Sequence, residues 1–321
     1  MGSAILDCMR LLYLCIIVLT GISFHCDAWA QKDVTVLLSE DSGAHAEFAS
    51  HLSAVLGQAV GAKASVRVIN LNDSKTEDLG RSSPGQVLVA VGTPAMTAMA
   101  RKPPAMPVLN VLVPRASFRS LSRAGGRTQD TSHFSAVFFD QPWGRQFALI
   151  RNALPGRKVG ILLGKNSTEL SATLMAAAKE AQMTASIEVA NEEVDLLPAL
   201  KRLLPNSDVL LAVPDSAIYN RNNIATILLT SYRAKVPLFG FSSAYVKAGA
   251  LAAVYSQPVH IAQQVAEIIQ NLSASGTLPA PQAPRYFSVG VNPQVKLSLE
   301  LTMDDEAQLL QKLKLLPENA Q

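Results

Sequence analysis

Val159–Val213, VGILLGKNSTELSATLMAAAKEAQMTASIEVANEEVDLLPALKRLLPNSDVLLAV, decides the fold. Val159–Leu163 (VGILL) and Val209–Val213 (VLLAV) are apolar with almost no alternation. That pattern belongs to strands buried on both faces. Between them, Leu170, Leu174, Ala178 and Ala181 share one helical face, Ile187–Val189 reads as a further strand, and a helix is expected near Val194–Leu204. Strand, helix, strand, helix, strand predicts a parallel sheet covered by helices.

The same rhythm extends in both directions. Toward the N-terminus, strands are expected at Val34–Ser39, Val66–Ile69, Val87–Val91, Val108–Val113 and Phe134–Phe139. Phe48, Leu52, Val55 and Leu56 lie on one face of a helix, and another helix is expected at Trp143–Leu154. Toward the C-terminus, Ile224–Arg233 reads as a helix, and Val236–Phe239, Ala250–Tyr255 and Tyr286–Val291 read as strands. Ile261, Val265, Ile268, Ile269 and Leu272 line one helix; Leu309, Leu310, Leu313 and Leu316 line the last. Its acidic start (Asp304–Glu306) and basic end (Lys312, Lys314) suit the helix dipole. About a dozen strands are too many for one open sheet. Two α/β lobes with parallel sheets are expected, with changes of lobe near Phe138–Pro142, near Gly240–Ser243 and in the linker-like Ser273–Pro284. The first lobe would hold residues 31–137 plus about 243–275, and the second 138–242 plus about 284–321.

With 49% hydrophobic and 17% charged residues, the 321-residue chain is not disordered, and its net charge of +3 gives no sign of nucleic-acid binding. Arg10, the apolar Leu11–Ser23 and Ala28-Trp29-Ala30 form a secretory leader, residues 1–30, with cleavage expected after Ala30. Met9-Arg10 makes a better leader start than Met1. The apolar run is too short to span a bilayer. Cys8, Cys15 and Cys26 all fall in the leader, so thiol catalysis and cysteine–metal sites are not expected in the exported chain. Bulky, polar Ser23-Phe24-His25 ahead of Cys26 argues against a lipid anchor there.

Motifs for chemistry are weak. Gly160-Ile-Leu-Leu-Gly164-Lys165-Asn166 has one residue too few for a phosphate loop and lacks its Ser/Thr. Gly240-Phe-Ser242-Ser-Ala244 lacks the second glycine of a nucleophile elbow. His45, Glu47 and His51 read as a surface helix rather than a metal site, because residues 45 and 51 fall on different helical faces. Arg115, Arg119, Arg123 and Arg127 recur every four residues; they could grip an anion, but Gly125-Gly126 interrupts the run and favours a solvated face. No metal and no cofactor are expected.

Segments just after strand C-termini are more informative, since ligands of open parallel sheets bind there. Ser42 follows the first strand, and Thr93-Pro94 follows VLVAV. Asn166-Ser167-Thr168 follows VGILL, Asp215-Ser216 follows VLLAV, and Phe241-Ser242 with Tyr245 follows VPLF. Hydroxyls, amides and helix-start N–H groups can hold a carboxylate. Asp215 could take an ammonium, and Phe241 and Tyr245 could pack on an apolar part. A polar cleft between the lobes is therefore expected, without a catalytic constellation.

VLVAVGTPAMTAMA with MPVLNVLV, then ALPGRKVGILLGKNS, LLAVPDSAIYNRNNI, KVPLFGFSSAYVKAGALAAV and VGVNPQVKLSLEL, resemble the ABC-transporter substrate-binding family of type I periplasmic binding proteins that includes tryptophan/tyrosine-type binders. The resemblance runs from about Val34 to the C-terminal helix. It implies two Rossmann-like lobes joined by three crossovers and closing on a small ligand such as an amino acid. It implies an ABC permease and ATPase as partners; the secretory leader leads to the expectation of a periplasmic location, and a monomer is expected. By the same resemblance, Thr93-Pro94, Asn166-Ser167 and Asp215-Ser216 face the ligand. Pro114-Arg115-Ala116 and Thr131–Ala136 depart from the family pattern, which has Asp-Pro-Val and Gly-Asn-Val-Thr-Gly there. The alternatives are a binding module for a sensor or receptor, which would lack a permease encoded nearby, and an exported α/β hydrolase, which would turn over ester or glycoside substrates.

Overall fold

The computed structural model describes residues 33–58, 65–73, 86–124, 131–191, 193–272 and 276–316. The expected leader with its cysteines and cleavage site, Gly125–Arg127 and residues 273–275 of the expected linker lie outside these residues.

Five strands, β1 (Asp33–Leu38), β2 (Ser65–Asn70), β3 (Gln86–Val91), β4 (Val108–Val113) and β5 (Phe134–Phe138), form one parallel sheet in the order β2-β1-β3-β4-β5. Its two faces carry separate cores. On one, α1 (Gly43–Gln58) lays Phe48, Leu52 and Leu56 against Val36 and Val89, all at most 2% exposed. On the other, α2 (Thr93–Arg101) and α3 (Arg115–Ala124) bury Met96 and Phe118 against Leu88 and Phe134. Burying each such side chain contributes about 1.5–3 kcal/mol, which is why the strands read as unbroken apolar runs.

The second sheet has six strands: β6 (Val159–Gly164), β7 (Ala185–Ala190), β8 (Val209–Leu211), β9 (Leu238–Gly240), β10 (Ala252–Tyr255) and β11 (Ser288–Val291). Their order is β11-β10-β9-β8-β6-β7, with only β11 antiparallel. Around it pack α4 (Trp143–Ala153), α5 (Ser171–Glu180), α6 (Leu196–Leu203), α7 (Ile224–Arg233), the short α8 (Ser243–Ala248) and, beyond it, α10 (Pro293–Ser298) and α11 (Glu306–Lys314). Asp305 caps α11 by accepting from the Gln308 N–H at 2.8 Å, and Leu309 and Leu313 are fully buried.

The chain changes lobe three times. After β5 it enters α4. The second passage comes later than the sequence suggests: β10 pairs with β9 (Ala252 beside Phe239), so the chain stays in the second lobe through Tyr255. It leaves at Ser256-Gln257 into α9 (Pro258–Gln270), whose Ile261, Val265 and Ile269 join the core formed by α1 and the first sheet. Gly240–Ser243, where a change of lobe is expected from the sequence, is instead the turn of a short strand–helix–strand unit. The third passage follows a bridge between Gln282 and Val137 at the edge of the first sheet and ends at β11.

Candidate functional site

In the first lobe, strand ends are braced from within. Ser39 Oγ, beyond β1, donates to the Val91 carbonyl at 2.6 Å and accepts from the Ala95 N–H at 2.9 Å, tying β3 to the first turn of α2. Gly92 between them has φ +88°, and a Cβ there would lie 2.8 Å from Ser39 Oγ and 2.9 Å from the His45 ring. Gly92→Ala is expected to cost about 1–3 kcal/mol through left-handed backbone strain and this clash. Calorimetry would show it as a melting temperature lowered by roughly 2–12 °C. Thr93 is half-buried at the start of α2, while Pro94 and Ser42 are exposed. His45 turns onto Gly92, whereas Glu47 and His51 pair with each other on α1 at 3.9 Å. Among the described residues no three His, Asp or Glu side chains gather as metal ligands.

In the second lobe, Asp215 is only 8% exposed and its carboxylate is already satisfied. It accepts from Ser167 Oγ at 2.5 Å, the Gly164 N–H at 3.1 Å and the Ala217 N–H at 2.9 Å. Asp215 and Ser167 thereby lock the β6 and β8 loops to each other. Gly164 permits this approach, since a Cβ there would stand 2.6 Å from Asp215 Oδ2. Thr168 and Ser216 are exposed, Asn166 lies in the 3-10 turn after β6, and Ser242 precedes α8 half-buried. Phe241 and Tyr245 do come together, with ring centroids 4.4 Å apart and Tyr219 against both. Tyr245 Oη donates to the Tyr219 carbonyl at 2.9 Å, so its hydroxyl also serves the lobe itself.

Between the lobes lies a cleft of about 550 Å3. Arg115, Arg119 and Arg123 of α3 form its first-lobe wall, and Glu169, Thr173 and Glu180 of the β6–α5 region form the other. Gln141 and Trp143, on the first passage, complete it. None of the expected site residues is among its described lining. The arginine row is visible in the sequence, but its placement opposite Glu169 and Glu180 is not. Trp143 is the only tryptophan beyond the expected leader, a signal that helix patterning absorbs. Asp140 accepts from the Arg115 N–H at 2.5 Å, capping α3, and burial raises its carboxyl above the usual range. The Arg115 guanidinium sits 4.7 Å from the Phe138 ring centroid; burial, with Arg119 nearby, lowers its pKa.

Behind the cleft, one network joins the three passages. Arg145, 1% exposed, donates from Nη1 to Gln141 Oε1 at 2.6 Å and to the Pro284 carbonyl at 2.9 Å. Gln141 Nε2 donates to Ser256 Oγ at 2.9 Å, and Ser256 donates to the Tyr286 carbonyl at 2.6 Å. The guanidinium lies 4.0 Å from the Phe287 ring centroid, and burial pulls its pKa down to about 10. Fully buried Gln264 of α9 holds the third passage through Gln282 and Arg285.

The profile of the ABC transporter substrate binding protein family matches residues 84–307. No curated protein sequence matches the chain. Among solved structures, an ABC domain in complex with L-Trp from Streptococcus pneumonia is 15% identical, with a TM-score of 0.55 over 87% of this chain and 98% of that one. A substrate binding protein with adhesive properties from Clostridium difficile, in its ligand-free, open form, is 14% identical, with a TM-score of 0.66 over 85% and 96%. A conserved domain protein from Vibrio cholerae is 19% identical, with a TM-score of 0.56 over 88% and 98%. At these identities the structural likeness shows the fold: two lobes with parallel sheets, of the type I periplasmic-binding-protein kind.

Proposed function

This chain belongs to the ABC transporter substrate-binding protein family, and we propose that it is an exported binding protein that delivers a small zwitterion or carboxylate to a membrane permease and its ATPase. The observation that carries this reading is the cleft of about 550 Å3 between two lobes, basic on one wall and acidic on the other, with Trp143 beside it. A zwitterion satisfies both walls at once. No bond is made or broken in this reading; binding energy goes into closure. A ligand touching both walls stabilises the closed arrangement only by its differential affinity for it, and the three passages supply the hinge. The leader, Leu11–Ser23 with Ala28-Trp29-Ala30, supports export to the periplasm.

Thermal shift tests the ligand class, with amino acids first because an L-Trp complex exists for a protein of this fold. A ligand that binds only the folded chain stabilises it by about 2.7 kcal/mol at one hundred times its dissociation constant. At roughly 2–4 °C per kcal/mol, the expected rise is about 5–10 °C. Trp143 fluorescence should change in the same titration. Silence from amino acids and small organic acids, with a clear shift from a sugar, would reject the proposed ligand class.

A further inference from the structure

On the flank of the first lobe, beside the cleft, a recess of about 390 Å3 lies between α3 and the edge of the first sheet. Its polar lining among the described residues consists of Arg115, Arg119, Arg123, Ser122 and Thr131, with no carboxylate. Ser122 is 7% exposed, yet its buried Oγ has no hydrogen-bond partner. A buried hydroxyl left unpaired costs free energy that most folds avoid. The arginines pose the same problem from the charge side. Among the described residues, none of the three has a carboxylate within 4.0 Å. Asp140, the nearest candidate for Arg115, faces its backbone N–H instead. The Arg115 guanidinium is held against Phe138, which fixes it without neutralising it, and the neighbouring Arg119 lowers its pKa further.

We propose that this recess is a second binding site, distinct from the cleft, for a compact oxyanion: phosphate, sulfate or carboxylate, free or on a small molecule. The guanidiniums give planar, charge-assisted donors to the oxyanion, and the Ser122 hydroxyl donates the bond it lacks inside the protein. Because Arg115, Arg119 and Arg123 also line the cleft, an anion here compensates charge on the wall that a transported ligand meets.

The test titrates inorganic phosphate, sulfate and acetate into the protein at constant ionic strength, with chloride as the reference anion, and reads melting temperature and heat of binding. Saturable stabilisation beyond chloride is expected. Arg119→Gln, at an exposed position, should fold normally and weaken the response tenfold or more. Ser122→Ala should leave the anion-free protein as stable as before, or more so, and weaken binding about threefold to tenfold. A stronger response to phosphate or sulfate than to acetate assigns a tetrahedral oxyanion; the reverse assigns a carboxylate. Stabilisation that follows ionic strength alone, or an equal response from wild type and both variants, overturns the proposal. Ser122 lines the recess and not the cleft, so a response weakened by Ser122→Ala belongs to the recess, while one weakened by Arg119→Gln but untouched by Ser122→Ala belongs to the cleft and overturns the proposal.

Discussion

Arg145→Ala is expected to lower the melting temperature by roughly 6–20 °C, the largest effect of any single substitution outside the apolar cores. Two hydrogen bonds from a charged donor are lost, the Pro284 carbonyl and Gln141 Oε1 are left unpaired, and a void opens against Phe287. Bonds of this kind contribute about 1.5–3 kcal/mol each. Removing a buried cation that has no carboxylate partner among the described residues returns part of that loss, and the net expectation is about 3–5 kcal/mol. For a domain of 150–250 residues each kcal/mol is worth roughly 2–4 °C. Arg145→Lys separates charge from shape: it keeps a cation but loses the planar fork, so it should recover less than half of the loss. A shift below about 3 °C for Arg145→Ala would show that the three passages hold their geometry without it.

Asp215→Ala should reveal a fold-maintaining carboxylate. Three donors converge on Asp215, from Gly164, Ser167 and Ala217. The substitution takes the acceptor from the Ala217 N–H and leaves the Gly164 N–H and Ser167 Oγ only their longer bonds, to Ser167 Oγ at 3.1 Å and to the Gly164 carbonyl at 3.2 Å, at about 1–3 kcal/mol for each buried group left unsatisfied. Because some will find water as the loops relax, the expected loss is about 2–4 kcal/mol, or roughly 4–16 °C. Asp215→Asn should recover part of that loss, since its carbonyl oxygen still accepts on one side while its amide presents hydrogens to a donor on the other. An unchanged melting temperature with ligand affinity reduced tenfold or more would assign Asp215 to the ligand instead.

Secondary structure was largely legible in the sequence because its signal is local. Val159–Leu163, Val87–Val91 and Val108–Val113 are strands within a residue of their expected bounds. Phe48, Leu52 and Leu56 face the core as their spacing requires. Pairing was less legible. Ala252–Tyr255 is apolar enough to be a buried strand of either lobe, and only its hydrogen bonds to β9 and β11 place it in the second. The antiparallel direction of β11 likewise has no local signature.

The candidate site shows the same division more sharply. By itself the sequence determined an α/β chain with about a dozen strands, two lobes and polar segments at the strand ends, since periodicity and composition are properties of neighbours along the chain. Tertiary structure alone decided what those polar groups do. Asp215 and Ser167 sit where a ligand group was expected, yet they satisfy each other across 48 residues of chain. Arg115, Arg119 and Arg123 repeat at helical spacing and read as a solvated face; folding sets them opposite Glu169 and Glu180 across a cleft. Arg145 reads as one polar residue in a helix, but it is buried where three passages meet. Whether a polar side chain serves the fold or a ligand depends on which partners reach it and on how much water is left, and both are fixed by residues distant in sequence.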